Sequence, residues 1–274
     1  MTDKRTLSGQ VVAITGGARG IGREIAAGFT AAGANVAIGD IDLDAARATA
    51  AELGVHASRL DVTDPACQRA FLEEVTQELG PIDIFVSNAG LMWVGPFTEE
   101  PEAAAWAQIE VNLLGVINGI KAAAPAMLAR GSGHLITVAS AGSILPIPGE
   151  ATYGATKHGV LGYLKAIRAE MRGTGVQVTA IMPGVVDTEL AAGTSSGAAK
   201  LLTPTEAARA VVKAAARPRF EVTVPGFIGP AVKVVNLLPT AIRDRLFKAM
   251  VPNQLQARKN QRQSYEAAFA DPKR

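Results

Sequence analysis

The sequence predicts an α/β protein: a doubly wound parallel sheet of about seven strands, helices on both faces, and a C-terminal helical extension. Over residues 1–225, short apolar runs alternate with alanine-rich stretches. Continuous apolar strands separated by helices are typical of a parallel sheet that is buried on both faces. Glycine is abundant, with 28 residues, while aromatic residues make up only 5%. That balance favours close packing of helices on a sheet over a β-sandwich.

The alternation predicts seven strands and six helices along the chain. We expect strands at Val11–Thr15, Asn35–Gly39, Ser58–Asp61, Ile82–Ser87, His134–Ala139, Gln177–Met182 and Glu221–Val224. We expect helices at Ile21–Ala32, Leu43–Leu53, Ala66–Leu79, Glu102–Ala129, Ala151–Met171 and Thr205–Ala215. Connections of this kind between parallel strands are right-handed. The pattern therefore predicts one domain over residues 1–225, followed by an extension over residues 226–274.

Composition argues against several classes of function. The formal net charge is only +2, and no basic stripe is interleaved with aromatic residues, so nucleic acid is not an expected partner. A single cysteine and three scattered histidines argue against a disulfide framework and against a metal site. Residues 1–10 are polar, and no run of about eighteen uncharged apolar residues follows. We expect a cytoplasmic protein without a resident metal.

The extension differs from the rest of the chain. It carries nine basic and three acidic residues, a net charge of +6, whereas residues 1–225 carry −4. Phe227–Met250 mixes apolar and basic residues, and such a segment can pack on a subunit or on its own chain, cover a lipid-like substrate, or lie on a membrane surface. We expect the extension to pack on its own chain or on another subunit in preference to contacting a membrane surface. A homo-oligomer is therefore expected. Gln254–Arg274 is polar and is expected to fray.

A glycine-rich turn joins the first strand to the first helix. Thr15–Gly22 has the spacing T-G-x-x-x-G-x-G, and its glycines permit a tight turn and close approach of the backbone to a pyrophosphate. Free N–H groups and the helix dipole would hold the negative charge. A plain structural turn is the alternative, which the position between strand and helix disfavours. The motif predicts a Rossmann-type dinucleotide site.

An aspartate ends the second predicted strand. Asp40 lies 18 residues beyond Gly22, close to the position of the acidic residue that binds ribose in dinucleotide-binding folds. Its carboxylate would accept hydrogen bonds from ribose hydroxyls and repel a 2′-phosphate. Arg19 is an observation in favour of NADP, because a basic side chain in the glycine loop could pair with that phosphate. We favour NAD over NADP; a helix N-cap is the alternative role for Asp40.

A tyrosine and a lysine four residues apart point to acid–base chemistry. Tyr153 and Lys157 would lie on one face of a helix. An ammonium beside a phenol favours the phenolate, so we expect the pKa of Tyr153 to fall from its ordinary value of about 10. Tyr153 would then exchange a proton with a carbonyl or alcohol. The spacing alone proves little, because it also arises by chance.

Further polar or turn-forming residues follow predicted strands, where an open α/β sheet presents side chains to a ligand. Taken one at a time, Ser140 and Thr188 could be caps and Asn112 a packing residue of its helix. The joint set is Thr15–Gly22, Asn88-Ala89-Gly90, Asn112, Ser140, Tyr153, Lys157 and Pro183-Gly184. In order and spacing it resembles the short-chain dehydrogenase/reductase family, over about residues 8–225.

The resemblance implies a role for each catalytic residue. Tyr153 would be the acid/base, and Ser140 would stabilise the reacting oxygen. Lys157 would hold the nicotinamide ribose and depress the pKa of the tyrosine, and Asn112 would position a water in a proton relay. The resemblance also implies that Asp61 and Val62 contact the adenine, and that residues such as Val186 and Thr188 contact the nicotinamide carboxamide. The full set expected at the cofactor is Gly16, Arg19, Gly20, Ile21, Gly22, Asp40, Asp61, Val62, Asn88, Ala89, Gly90, Tyr153, Lys157, Pro183, Gly184, Val186 and Thr188.

The chain departs from the family at its end and leaves its substrate open. Many members close with a strand and an Asp-Gly-Gly turn that helps to build a tetramer, and here Glu221–Val224 is followed by about fifty other residues. Leu91–Phe97 and Ser143–Pro148 are apolar and contain no arginine. They predict a hydrophobic secondary alcohol or ketone, lipid-, steroid- or terpenoid-like, unless they only pack the loops. The alternatives are a cofactor-binding regulatory protein without turnover, and an epimerase or dehydratase on the same fold.

Overall fold

Seven parallel strands form one sheet in the order β3-β2-β1-β4-β5-β6-β7. The computed structural model describes residues 5–197, 199–257 and 259–270. The strands are β1 (Val11–Thr15), β2 (Asn35–Asp40), β3 (His56–Arg59), β4 (Ile84–Ser87), β5 (Gly133–Val138), β6 (Val176–Pro183) and β7 (Glu221–Val224). The predicted doubly wound fold is confirmed. The order reverses between β1 and β4, the switch point where such sheets open a crevice for ligands.

Two strands are displaced from their predicted positions. β3 begins at His56, opposite Ala37 of β2. The start of the third strand is therefore determined by its pairing with β2 and not by its most apolar run. Its end at Arg59 leaves Asp61 in the following loop. β4 begins two residues later than predicted because Asp83 uses its carboxylate to accept a hydrogen bond from the N–H of Val11.

Helices cover both faces of the sheet. They are α1 (Gly20–Ala31), α2 (Leu43–Leu53), α3 (Pro65–Leu79), α4 (Glu102–Ile109), α5 (Gly115–Arg130), α6 (Ala151–Glu170) and α7 (Pro204–Ala216). One core lies between the sheet and α3, α5 and α6. The other lies under α1, α2 and α7, where small alanine side chains are buried. The alanine-rich composition thus permits the close packing that the sequence predicts.

A wide turn interrupts the longest helix. Glu110–Leu114 forms a π-helical turn between α4 and α5, and such turns often occur at functional sites. Within the described ranges, Glu102–Arg130 is the one segment long and apolar enough to span a membrane by length and composition. Val116, Ile120 and Met127 on this segment are buried against the sheet, which is typical of a core helix. The turn matters for function because it carries Asn112.

The extension folds back over the carboxyl ends of the strands. It contains α8 (Ile228–Val235), α9 (Thr240–Met250) and α10 (Gln263–Ala270). Val232, Val235 and Phe247 pack on apolar residues of the loop after β5. The predicted fraying of Gln254–Arg274 is wrong for Gln254 and Arg262, which are both 1% exposed; residues 258 and 271–274 lie outside the described part of the chain.

Candidate active site

The glycine loop lies against the loop that follows β4. Gly16 and Gly20 have φ angles of +65° and +55°, a region that glycine occupies without steric cost. A Cβ on Gly22 would lie 2.0 Å from the carbonyl oxygen of Gly16, so no other residue fits there. Asn88 Nδ2 donates to the carbonyl oxygens of Thr15 (3.0 Å) and Gly16 (2.9 Å). Asn88 therefore fixes the shape of the loop.

Thr15 completes this connection, a role the sequence analysis missed. Its Oγ1 accepts hydrogen bonds from the N–H groups of Asn88 (3.0 Å) and Ala89 (3.1 Å). Thr15 is the last residue of β1 and Asn88 the first residue after β4, and the two strands are neighbours in the sheet. The threonine at the start of the glycine motif was the available signal.

Asp40 lies at the end of β2 beside the glycine loop. Its carboxylate accepts hydrogen bonds from the N–H groups of Ala18 and Asp42, both at 3.1 Å. Asp42, not Asp40, caps α2, because its side chain accepts from Ala45 N. Asp42 also forms an ion pair with Arg19, with 2.5 Å between Oδ2 and Nη2. The hydrogen bond from Ala45 N and, after it, the bond to Arg19 lower the pKa of Asp42, and the bond to Asp42 raises the pKa of Arg19. The cationic side chain of the loop is thus engaged by a carboxylate.

Asp61 and Val62 lie in the loop after β3, next to Asp40. The N–H of Leu60 donates to the carbonyl oxygen of Asp40 (2.8 Å). The Asp61 carboxylate accepts from the N–H and the hydroxyl of Thr63, at 2.9 and 2.7 Å, and Val62 is buried. The structure therefore brings Asp40, at the end of β2, and Asp61, in the loop after β3, to the same edge of the sheet.

Tyr153, Lys157 and Ser140 meet above the end of β5. Tyr153 and Lys157 are buried on one face of α6, with Lys157 Nζ 5.5 Å from the centre of the tyrosine ring. Nζ donates to the carbonyl oxygen of Val138 (3.3 Å). The side chain of Ser140 is hydrogen-bonded to the phenol of Tyr153, and its Oγ also accepts from Gly142 N (3.0 Å). The predicted serine, tyrosine and lysine thus lie together.

The predicted direction of the tyrosine pKa shift is wrong in this structure. Burial raises the pKa of Tyr153 well above its ordinary value, the charge of Glu150 raises it further, and the hydrogen bond from Ser140 opposes both. Burial also lowers the pKa of Lys157 to about 8. Loss of water disfavours both charged forms, and this outweighs the attraction that the sequence suggests. The tyrosine is therefore a protonated phenol, suited to donating a proton.

Asn112 connects three parts of the site. Its Oδ1 accepts from Leu91 N (2.9 Å), and its Nδ2 donates to Leu91 O (2.8 Å) and to Thr156 Oγ1 (3.3 Å). A Cβ on Gly90 would lie 3.1 Å from Asn112 Oδ1 and 3.7 Å from Lys157 Nζ. The π-helical turn thus holds an asparagine amide between the loop after β4 and helix α6. A relay through Asn112 stays a prediction.

The loop after β6 forms the wall of the crevice that faces the loop after β4. The N–H of Gly184, next to Pro183, donates to Val224 O (2.8 Å), and Thr188 Oγ1 donates to Val186 O (3.3 Å). The methyl group of Thr188 lies 3.5 Å from where a Cβ on Gly20 would be. The residues after β6 and the glycine loop therefore face one another across a single crevice.

A cavity of about 210 Å³ opens beside the tyrosine. Its wall combines the predicted residues Ile21, Asn88, Gly90, Ser140, Tyr153, Lys157, Pro183, Gly184, Val186 and Thr188 with a largely apolar remainder. The extension supplies part of that remainder, through Phe227, Ile228, Ala231, Val232, Met250, Val251 and Pro252. The sequence analysis gave a cover over a lipid-like substrate only as one alternative for the extension, and it missed Glu150, which lines the same cavity. The alternation of apolar and basic residues in Phe227–Met250 was the one available signal.

Arg262 fastens the extension to the loops around the cavity. Its guanidinium donates to the carbonyl oxygens of Leu190 (2.8 Å), Ala192 (2.9 Å) and Met92 (2.6 Å), and its Nε donates to Glu266 (2.7 Å). The hydroxyl of Tyr265 accepts from Met92 N (3.2 Å). One buried cation thus joins the loops after β4 and β6. A lone arginine in a polar stretch gives little signal of this, beyond its four-residue spacing to Glu266.

Gln254 makes a second connection of the same kind. Its side chain accepts from Ser195 N (2.8 Å) and donates to Ser195 O (2.7 Å). Its own N–H donates to Pro148 O (2.9 Å). The amide therefore links the loops after β5 and β6.

Comparison with known proteins identifies the family. The model of short chain dehydrogenases matches residues 10–199. The glycine betaine reductase of Emericella nidulans is 34% identical over 232 residues, which is 78% of this chain but 18% of that protein. The chain spans less than a third of the length of the first curated relatives it matches.

Shorter relatives match over most of their own length. The sorbitol dehydrogenase of Cereibacter sphaeroides is 40% identical over 67% of this chain and 73% of its own. The 1-deoxy-11-beta-hydroxypentalenate dehydrogenase of Streptomyces exfoliatus is 36% identical over 68% and 71%.

Solved structures show the same fold. An alcohol dehydrogenase from Thermococcus sibiricus, complexed with 5-hydroxy-NADP, is 30% identical with a TM-score of 0.69, over 78% of this chain and 95% of that one. A short-chain dehydrogenase/reductase from Burkholderia phymatum, in complex with NAD, has a TM-score of 0.78 at 24% identity, over 85% and 95%. This chain belongs to the short-chain dehydrogenase/reductase family.

Proposed function

We propose that this protein is an oxidoreductase that transfers hydride between NAD(H) and a secondary alcohol or ketone. The observation that carries the proposal is the group formed by Ser140, Tyr153 and Lys157, which lines one cavity with the residues after β4 and β6. A protonated phenol beside a serine hydroxyl can donate a proton to a carbonyl oxygen. Family membership favours the same reading.

The residues of this chain would act as follows during reduction of a ketone. When bound, the dinucleotide would supply the hydride. Tyr153 donates its proton to the carbonyl oxygen as that oxygen gains negative charge, and the Ser140 hydroxyl orients the same oxygen through a hydrogen bond. Lys157 adds positive charge close to the phenol, with Nζ 5.5 Å from the ring. The apolar wall excludes water, which strengthens each of these interactions.

The proposed cofactor is NAD in preference to NADP. Asp40 lies at the end of β2, where a 2′-phosphate would meet a carboxylate. Arg19 is paired with Asp42 at 2.5 Å and so is already engaged by a negative charge. The solved relatives carry NAD in one case and an NADP derivative in the other, and the choice for this chain therefore rests on Asp40 and Asp42.

The proposed substrate is largely hydrophobic. Leu145, Ile147 and Val186 line the cavity together with side chains of α8 and α9. The relatives act on both kinds of substrate, since one is named for a hydroxypentalenate and another for sorbitol. Because these two relatives align over only 67% and 68% of this chain, neither decides the substrate, and we give more weight to the apolar wall that the extension completes.

A substrate panel tests the proposal. Purified protein is assayed with NAD and secondary alcohols of increasing chain length, with sorbitol and threitol as the polar comparison. We expect kcat/KM to rise about tenfold for each two buried methylene groups and to exceed that for the polyols. Better turnover of polyols would overturn the hydrophobic substrate. Binding of NADH without oxidation of any alcohol or reduction of any ketone would favour a regulatory protein.

A further inference from the structure

A glutamate in the cavity wall affects the pKa of Tyr153 but has no contact with the reacting groups in the chemistry described so far. Glu150 lies at the start of α6, one helical turn before Tyr153, and lines the cavity. Only 6% of the residue is exposed. Among the described residues, no hydrogen-bond donor pairs with its carboxylate, whereas its backbone carbonyl oxygen accepts from Gly154 N. A buried carboxylate without a donor is unfavourable, so a ligand that donates a hydrogen bond to Glu150 would stabilise it.

The charged groups near Glu150 do not neutralise it by contact. Arg262 exerts an electrostatic attraction on Glu150, but its guanidinium donates to Leu190, Ala192, Met92 and Glu266. Tyr153, the next titratable side chain on α6, is hydrogen-bonded to Ser140. The carboxylate oxygens are therefore left for a molecule in the cavity.

We propose that Glu150 is a substrate-binding residue that accepts a hydrogen bond from a hydroxyl group of the substrate. The substrate class that fits is a mainly hydrophobic molecule with a second hydroxyl beside the reacting carbon, such as a diol or a hydroxyketone. This inference rests on the proposed function and adds a polar anchor to the apolar pocket. It also assigns a specificity-determining role to a residue outside the predicted cofactor-binding set.

A hydroxyl fits this place better than a charged group. A carboxylate or phosphate on the substrate would be repelled by Glu150. Burial raises the pKa of Glu150 to about 7, so both its neutral and its ionised form occur near neutral pH. A hydroxyl can pair with either form, as donor to the carboxylate or as acceptor from the carboxylic acid, whereas an ammonium pairs well only with the ionised form.

Matched substrates test the proposal. The probes are octan-2-ol and octane diols with a second hydroxyl one, two or three carbons from the reacting carbon. We expect the wild-type protein to favour at least one diol by about tenfold or more in kcat/KM, the scale of a hydrogen bond to a charged group. Glu150→Leu should bring the ratio of kcat/KM for the diol to kcat/KM for octan-2-ol close to one, and this ratio cancels any effect of Glu150 that acts through Tyr153. Glu150→Gln, which keeps an acceptor oxygen, should lose only part of it. Glu170→Leu, an exposed position on the same helix, is the control.

The pH profile provides a readout that a structural role would not move. As pH rises through about 7, Glu150 loses its proton, and a hydrogen bond to the charged carboxylate is stronger than one to the neutral acid. The preference for the diol should therefore rise between about pH 6 and pH 8 in the wild-type protein. Glu150→Gln cannot ionise and should show a flat preference over this window.

Two results would overturn the proposal. One is an equal loss with octan-2-ol and every diol in Glu150→Leu, which would make the residue structural. The other is a stronger preference for 1-aminooctan-2-ol than for any diol, which would make the site cationic. If no alcohol is oxidised, the proposed function fails, and thermal melting of the NADH complex then tests Glu150 separately. A diol should raise the Tm of the wild-type protein more than octan-2-ol does, and this difference should be absent in Glu150→Leu. Equal shifts of the wild-type Tm by the diol and octan-2-ol would refute the hydroxyl site.

Discussion

After the proposed function, we call the glycine loop with Asn88 the cofactor side of the crevice and the loops joined by Arg262 and Gln254 its substrate side. The two sides are held together in different ways. On the cofactor side, Gly22 approaches Gly16 so closely that a Cβ would lie 2.0 Å from its carbonyl oxygen, and Asn88 fixes the same turn with two hydrogen bonds. On the substrate side, Arg262 reaches Met92 across 170 residues of sequence, and Gln254 reaches Ser195 across 59.

The difference shows which part of the site is set by backbone shape and which by distant side chains. The glycine turn depends on steric room and on strand ends that the sheet already aligns. The loops of the substrate side have no regular partners, so their buried carbonyl groups need donors from elsewhere, and the extension supplies them. We therefore expect changes on one side to leave the other side largely intact.

The largest loss of activity is expected from substitution of Tyr153, which lies between the cofactor side and the substrate side. Tyr153→Phe removes the phenolic proton and should lower kcat/KM by about 10²–10⁴-fold, the range for loss of a general acid. NADH affinity should stay within a few-fold, as measured by fluorescence titration. Tyr163→Phe removes a hydroxyl from the same helix and serves as the control. A comparable loss in both variants would contradict a specific role for Tyr153.

A smaller loss of activity is expected from substitution of Arg262. This variant tests directly whether the cofactor side and the substrate side are independent. Arg262→Met leaves the carbonyl groups of Met92, Leu190 and Ala192 without their donor, and hydrogen bonds to a charged group contribute about 1.5–3 kcal/mol each. We expect kcat/KM for the substrate to fall about tenfold or more and Tm to drop, with the Kd for NADH within a few-fold. Arg245→Met, at an exposed position on α9, should behave as the wild-type protein. An equal loss of NADH affinity would show that the two sides are not independent.

The smallest effect is expected at Asp40, on the cofactor side. Asp40→Ala removes the carboxylate that we propose faces the ribose and should lower the ratio of kcat/KM with NAD to that with NADP by about tenfold, equivalent to about 1.4 kcal/mol. The substrate KM should not change. Asp44→Ala, which removes an exposed acidic side chain at the start of α2, controls for loss of charge. A ratio that stays constant in Asp40→Ala would overturn the preference for NAD.

Local patterns were enough to predict the fold. Each apolar run corresponds to a strand, with β3 and β4 displaced by about two residues because pairing with β2 and the side chain of Asp83 decide where they begin. The glycine spacing predicted a turn that tolerates no side chain at Gly22. These features depend on residues that are near each other in sequence or aligned by a regular sheet.

The predictions from the sequence failed where they depended on how deeply a side chain is buried. The spacing of Tyr153 and Lys157 is visible in the sequence, but the direction of the tyrosine pKa shift is not, because it depends on how much water the surrounding elements exclude. Gln254 lies in a stretch that looked exposed and is buried. Glu150 gave no signal, since nothing in its neighbours shows that it faces a cavity.

The sequence by itself determined the doubly wound sheet, the glycine turn and the order of the residues that meet above the end of β5. Periodicity and glycine geometry are local properties, so they can be recognised without coordinates. Only the tertiary structure decided that Arg262 and Gln254 close the substrate side and that Glu150 faces the cavity. Those outcomes depend on contacts between distant segments, and the free energy of a buried polar group is set by the partners that the fold brings to it.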